Sequence, residues 1–220
     1  MRHCNFNLTE LSGNPKIVPS GNRLFYLLKE NYFVMDMKDL VQTGLENVKR
    51  TLDRTLDGLT PEELKWQPKP DANSIGLILF HCIRSEDRFI HILQGKPQFW
   101  ESEKLYQKFN KTIEDGGAHY TAEQVATFVV PDIKDLLAYS EMVRKNTLEY
   151  LKGLKPKDFQ KKVNLPPPPA SMAMQAGNAP PRRPPFEPIV GLMLMHEVTE
   201  LAGHAGEISY LRGLQRGMDK

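Results

Sequence analysis

No stretch of this 220-residue chain approaches the run of about eighteen apolar residues that a membrane-crossing helix needs, so no transmembrane segment is expected. Cysteine is nearly absent. Cys4 and Cys82 are the two present, and they form no Cys-x-x-Cys pair, which excludes a disulfide framework and suits a reducing, cytoplasmic setting. An excess of one charge is also lacking. The 29 Lys and Arg residues face 27 Asp and Glu; residues 1–34 hold four basic and two acidic side chains, leaving the rest balanced at 25 against 25. A neutral body argues against a duplex nucleic-acid binder, which needs a basic face to neutralise phosphates. There is no nucleophile elbow, no G-x-G-x-x-G or Walker loop, and no H-E-x-x-H. His196-Glu197 opens like the last of these, but Glu200 stands where the second histidine belongs. What is present is ordinary globular composition, 40% apolar and 25% charged, enough for one domain with a real core.

Residues 1–34 are punctuated by Gly13-Asn14-Pro15 and Pro19-Ser20-Gly21-Asn22 and read as a weakly ordered leader, with Leu24–Phe33 as the part suited to dock on the body at 35–220. Helical periodicity then begins. From Met37 to Leu56 the apolar residues 37, 40, 41, 45, 48, 52 and 56 form an i/i+3/i+4 stripe, stopped by Gly58. Thr60-Pro61-Glu62-Glu63 is a capping box with proline at the first helical position. Asn73 or Ser74 caps a second helix through Ile75, Ile78, Leu79, Cys82, Glu86, Phe89 and Leu93, ended by Gly95; His91 falls on its polar side. Residues 98–130 hold no strong pattern beyond a short helix near Glu101–Phe109 and a loop at Gly116-Gly117. A third helix runs from Asp132 to Leu151, with Ile133, Leu136, Leu137, Met142 or Val143, Leu148 and Leu151 inward. A fourth runs from Ile189 to about Leu214. No segment alternates as a strand would. The chain reads as all-α.

It also repeats itself. Leu56-Asp57-Gly58-Leu59-Thr60-Pro61 matches Leu151-Lys152-Gly153-Leu154-Lys155-Pro156, and Ile75-Gly76 through His81 matches Val190-Gly191 through His196. The second match has the larger offset, and the excess fits the tract 166–188, which holds nine of the seventeen prolines. Proline at that density cannot extend a helix, so the tract reads as an inserted surface loop. Two copies of helix, turn and helix point to a four-helix bundle with an internal pseudo-two-fold axis.

Of the six histidines, His3 and His119 lie in polar, irregular chain. On the fourth helix His196, Glu200 and His204 stand at i, i+4 and i+8. Neighbours four apart bring their side chains within about 6 Å and can share one ion. The outer two cannot, because eight residues rise about 12 Å. Spacing therefore leaves two pairs open, Glu200/His204 or His196/Glu200, each completed by a ligand from another helix, for which His81 is the natural choice. Glu200 continues the stripe of Met193, Ile208 and Leu211, so it is expected to face inward, where a carboxylate needs a partner. Cys82, beside His81 on an apolar arc, reads as a core residue rather than a reactive thiol.

Asn-Ser-Ile-Gly-Leu-Ile-Leu-Phe-His81-Cys-Ile-Arg-Ser-Glu-Asp, preceded by Leu-Thr-Pro-Glu-Glu-Leu-Lys-Trp and a Pro-x-Pro turn, resembles the first half of DinB-like proteins, the damage-inducible four-helix family. The ending His204-Ala-Gly-Glu-Ile-Ser-Tyr-Leu-Arg-Gly resembles that family's fourth-helix signature. The likeness spans residues 37–97 and 131–216. It implies an up-down-down-up bundle, often a homodimer, holding one divalent ion, zinc or nickel. It also chooses between the two pairs. Members similar to mycothiol-dependent maleylpyruvate isomerase carry Glu-x-x-x-His on the fourth helix, which implies His81, Glu200 and His204 as the ligands here. Characterised relatives include S-transferases and isomerases that use mycothiol or bacillithiol, which implies a small-molecule substrate and a low-molecular-weight thiol as cosubstrate. Glu207 where Gln or His is usual, the additional His196 and the proline insertion depart from the pattern.

Three protein ligands leave a coordination position for a thiol or water, so the expected function is that of a metal-dependent transferase or hydrolase. Glu207, one turn from His204, and His196 are the candidates for orienting a ligand or carrying a proton. The competing expectation is a non-catalytic, metal-stabilised bundle that dimerises or senses. Access to the site separates the two.

Overall fold

In the computed structural model, which describes residues 35–165 and 187–217, the first long helix begins where the Asp36 carboxylate accepts the Asp39 N–H and Asp39 returns the bond to the Asp36 N–H. This helix, α1 (Met37–Leu56), is followed by the one-turn α2 (Pro61–Lys65), which the Thr60/Glu63 capping box starts. Ser74 caps α3 (Ile75–Gln94), and Gly95, at φ +63°, ends it in the left-handed conformation that a helix terminus asks of glycine. Asp132 caps α7 (Ile133–Gly153), a 3₁₀ turn covers Pro156–Gln160, and α8 (Val190–Arg216) closes the chain. The leader 1–34, with its expected docking segment, and residues 166–186 of the proline-rich tract lie outside the described residues.

Side-chain bonds between the long helices set their directions. Lys38 reaches the Lys152 carbonyl and Arg144 the Leu45 carbonyl, so α1 and α7 are antiparallel. Gly44 lies against Val198 and Thr55 bonds Ser209, so α1 and α8 are parallel. Arg84 meets Tyr139, Glu86 meets Arg144 and Gln94 meets Asn146, so α3 and α7 are parallel. The His81–His204 and Phe89–His196 contacts make α3 and α8 antiparallel. The result is the expected all-α, up-down-down-up bundle. Among the described residues there is no strand, only an isolated bridge from Lys162 to Ile189.

The internal repeat survives in packing. The place for a Cβ on Gly76 is 3.1 Å from the Leu64 carbonyl, and that on Gly191 is 3.1 Å from the Phe159 carbonyl. Leu64 and Phe159 hold equivalent places in α2 and in the 3₁₀ turn, so each half seats its second long helix on the preceding turn through a glycine. At the far end Arg216 makes a two-pronged bond to Glu63, binding the end of α8 to α2.

Two helix faces differ from expectation. On α7 the buried line is Leu136, Tyr139, Val143, Thr147 and Leu151, while Leu137, Met142 and Leu148 are exposed. Tyr139 and Thr147 take the inward places because their hydroxyls bond buried carboxylates, Tyr139 to Asp87 and Thr147 to Glu86. An apolar-only stripe is rotated by that polar content. His91 is likewise not on a polar face. It is 3% exposed, with Nδ1 2.9 Å from Asp87. Burial opposes its charge, yet the bonds to Asp87 outweigh burial and raise its pKa.

Asp87 is fully buried and is the hub of this network. It accepts from Tyr139, from Arg84 and from the backbone N–H groups of Phe99 and Trp100. Burial alone would raise its pKa, but the bonds from His91 and Tyr139 and the two N–H groups hold it below the usual range. The weakly patterned segment 98–130 is pinned there. It forms three single-turn helices, α4 (Phe99–Ser102), α5 (Leu105–Lys108) and α6 (Ala122–Ala126), in place of one short helix at 101–109. Lys104, at φ +53°, separates the first two. The segment supplies Trp100, Phe109 and Phe128, which pack with Phe80 and Tyr139.

Candidate metal centre

Antiparallel packing of α3 on α8 brings His81 opposite His204, and one helical turn places Glu200 beside them. One ligand atom from each of His81, Glu200 and His204 lies within 4.8 Å of the other two, the arrangement that could hold a metal ion. The two imidazoles meet edge to face, with centroids 4.7 Å apart and planes at 84°.

Each ring is held from behind. His81 Nδ1 is 3.0 Å from the Gly117 carbonyl, which can only accept, so Nδ1 carries the proton and the Nε2 lone pair remains for a ligand. His204 Nδ1 donates to Glu207 Oε2 at 2.9 Å, and its Nε2 is 3.4 Å from Glu200 Oε1. With the Nδ1 atoms of both rings so engaged, the Nε2 atoms and the Glu200 carboxylate are the atoms that converge. Two imidazole nitrogens and one carboxylate oxygen are donors suited to a divalent transition metal. Burial, and then the neighbouring His204, lower the His81 pKa, which favours the neutral imidazole that a metal requires.

Glu207 stands where the sequence suggested an orienting group, on His204 Nδ1. His196 is exposed, its ring against Phe89 with centroids 5.9 Å apart, and it is outside the converging group. The inward carboxylate of this helix is Glu197, not Glu200. Glu197 is 6% exposed, whereas the Glu200 side chain is 44% exposed. The buried line of α8 runs Met193, Glu197, Leu201, Ala205 and Ile208, and Glu200 lies on its flank. Burial and then the nearby Glu86 charge push the Glu197 carboxyl up to about 8; Ser85 donates to its Oε2, and its Oε1 has no partner among the described residues. Cys82 is a core residue as expected, its thiol pushed up by burial.

Of the groups that could wall in the site, Phe80 and Met193 are turned into the core, and the proline-rich tract at 166–186 lies outside the described residues. Beside it is a shallow pocket of about 460 Å³ lined by Asn73, Ile78, Gly206, Glu207, Tyr210 and Leu211 among others. Glu207 belongs to both, with its carboxylate on His204 and its side chain on the pocket wall.

Sequence reasoning missed the loop behind His81. Gly117, at φ +69°, is buried, and a Cβ there would meet Arg84 and Phe80 within 3.1–3.3 Å. The Gly116-Gly117 pair marked a turn but not which side chain its carbonyl would meet.

Residues 45–207, which include all three converging residues, match the DinB superfamily. The structure is similar to the crystal structure of a conserved protein from Enterococcus faecalis, with a TM-score of 0.64 and 22% identity over 82% of this chain and 98% of that one. That likeness concerns the fold. No curated protein gives a significant match.

Proposed function

The chain belongs to the DinB superfamily, and from that premise we propose that it is a metal-dependent enzyme whose single divalent ion, zinc or nickel, is held by His81, Glu200 and His204. The observation that carries this reading is the pair of bonds behind the rings, from His81 to Gly117 and from His204 to Glu207. Metal-bound histidines characteristically donate their second N–H to a carbonyl or carboxylate in this way. When bound, such an ion lowers the pKa of a thiol or water at its open position and supplies a nucleophile near neutral pH.

The remaining roles follow from the chain itself. Gly117 and Glu207 hold protons on Nδ1 of their histidines. Glu200, half exposed, faces the solvent side from which a substrate arrives. His196, one turn earlier on the exposed side, is assigned an auxiliary part in orienting a ligand or carrying a proton. The adjacent pocket has Glu207 as its one carboxylate and no cationic lining residue, so it suits a neutral or amine-bearing body over a multiply anionic one. A low-molecular-weight thiol is the proposed cosubstrate in a transferase reaction, with water as nucleophile in a hydrolase. The proposal extends to a homodimer in the cytoplasm; among the described residues no helix is long and apolar enough to cross a membrane.

The competing reading is a metal-stabilised bundle that only dimerises or senses. Elemental analysis of purified protein beside His204→Ala, followed by screening with low-molecular-weight thiols, tests the proposal. About one equivalent of zinc or nickel in the wild type and none in the variant is expected, with thiol-dependent turnover in the wild type alone. Equal metal in both would remove the assignment, and stoichiometric metal without turnover would favour the sensing bundle.

A further inference from the structure

We infer that Asp115, outside the four long helices, is a positioning residue for His81, acting through the turn that presents the Gly117 carbonyl. The inference deepens the metal reading above and rests on it for its consequence, though not for its geometry.

The turn lies between α5 and α6 and is closed by one carboxylate oxygen. Asp115 Oδ1 accepts the Gly117 N–H at 2.9 Å and the Tyr120 hydroxyl at 2.5 Å. The Asp115 carbonyl accepts from Arg84 Nε at 3.3 Å. Arg84 is itself immobile. It is 3% exposed, its guanidinium lies 4.2 Å over the Trp100 ring, and it bonds Asp87, Gln98 and Tyr139. Gly117 in turn is seated on α3, with room for no side chain against Arg84 and Phe80. A continuous set of bonds thus runs from the buried Asp87 hub through Arg84 to the turn, and from the turn to His81 Nδ1.

Arg84 and Phe80 flank His81 on its own helix, so the turn is registered against the helix that carries the ring. Ring and carbonyl cannot drift apart while the turn is intact. Its consequence is chemical. A neutral imidazole exchanges its proton between two nitrogens, and a fixed acceptor at Nδ1 selects the form whose Nε2 lone pair is free. Without the Asp115 carboxylate, the Gly117 N–H and the Tyr120 hydroxyl lose their acceptor, the turn loosens, and either tautomer becomes available. Partners of this kind typically change metal affinity by about 10–100-fold.

The test compares wild type, Asp115→Ala and Asp115→Asn, whose amide oxygen still accepts both bonds. Two readouts are taken: the ¹⁵N shifts of the His81 ring in metal-free protein, and Zn²⁺ affinity by competition with a chromophoric chelator. Wild type and Asp115→Asn should show the Nδ1–H tautomer and equal affinity. Asp115→Ala should show mixed tautomers and Zn²⁺ binding weaker by about 10–100-fold at unchanged helix content. Asp115→Ser, too short to accept both bonds, replaces the alanine variant if that one does not fold. A pure Nδ1–H tautomer with unchanged affinity in the truncated variant overturns the inference. Should the wild type bind no Zn²⁺ while the tautomer still shifts in Asp115→Ala, the positioning role stands and the metal reading falls.

Discussion

His204 is held between two carboxylates of its own helix, with Glu207 at Nδ1 and Glu200 at Nε2, while the His81 ring meets it edge-on from α3. This geometry predicts that removing the ion removes stability. A ligand present at 100 times its Kd contributes about 2.7 kcal/mol. For a chain of this size that corresponds to a Tm lower by about 5–10 °C after chelation. His81→Ala and His204→Ala should melt at the chelated temperature whether or not chelator is present. A wild-type Tm indifferent to chelator would mean instead that no metal binds and the three residues hydrogen-bond one another.

Glu207 should act through its acceptor oxygen and not through its charge alone. Glu207→Ala is expected to weaken Zn²⁺ binding by about 10–100-fold, and Glu207→Gln, which still accepts the His204 Nδ1–H, by far less. Competition titration of the two variants measures the difference. Equal losses would mean that the negative charge, not the orientation of the ring, is what matters.

The Asp87 hub is predicted to dominate local stability. Asp87→Ala strands the Tyr139 hydroxyl, the Arg84 guanidinium and two backbone N–H groups, and should cost about 3–5 kcal/mol in urea unfolding. Tyr139→Phe should cost about 1–3 kcal/mol. The double variant should lose less than the sum, because both remove the same bond.

Glu197 gives a pH dependence of definite sign. Its carboxyl is raised from the ordinary 4.5 to about 8 by burial and by Glu86; Ser85, Arg88 and Glu200 also face it. Between those two values the folded state binds the proton that the unfolded state has released. The stability this group contributes is therefore full below pH 4.5, falls as pH rises towards 8, and is flat above. Glu197→Gln mimics the protonated form and should abolish that decline, leaving the variant more stable than wild type at pH 8.5 by on the order of a few kcal/mol. Parallel stability curves for the two proteins would rule the account out.

Glycines on the two second helices should respond oppositely to alanine. At Gly76 a methyl would meet Val130 as well as the Leu64 carbonyl, and Gly76→Ala should cost about 1–3 kcal/mol. At Gly203 it would meet nothing, so Gly203→Ala should stabilise by about 0.5–1 kcal/mol through helix propensity. Thermal or urea unfolding of both variants decides this.

Much of the architecture was legible because its signals are local. Caps at Thr60 and Ser74, stops at Gly58 and Gly95, and the paired Gly76 and Gly191 lie within a few residues of what they control. The i, i+4 step from Glu200 to His204 follows from helix geometry in the same way. His81 as their partner came from the repeat and from family likeness, since nothing in spacing alone joins two helices. Segment 98–130 was not legible. Single-turn helices are too short to show a period, and their places are fixed by Asp87 and by aromatic packing across the bundle.

By itself, then, the sequence determined four long helices, their ends, their repetition and the residue types able to hold an ion. Tertiary structure alone decided which carboxylate is buried, that Glu197 and not Glu200 turns inward, that His91 is enclosed by Asp87, and that a loop carbonyl at Gly117 stands behind His81. Those outcomes depend on what lies opposite each helix, and a periodicity measured along one chain segment contains no information about its neighbour.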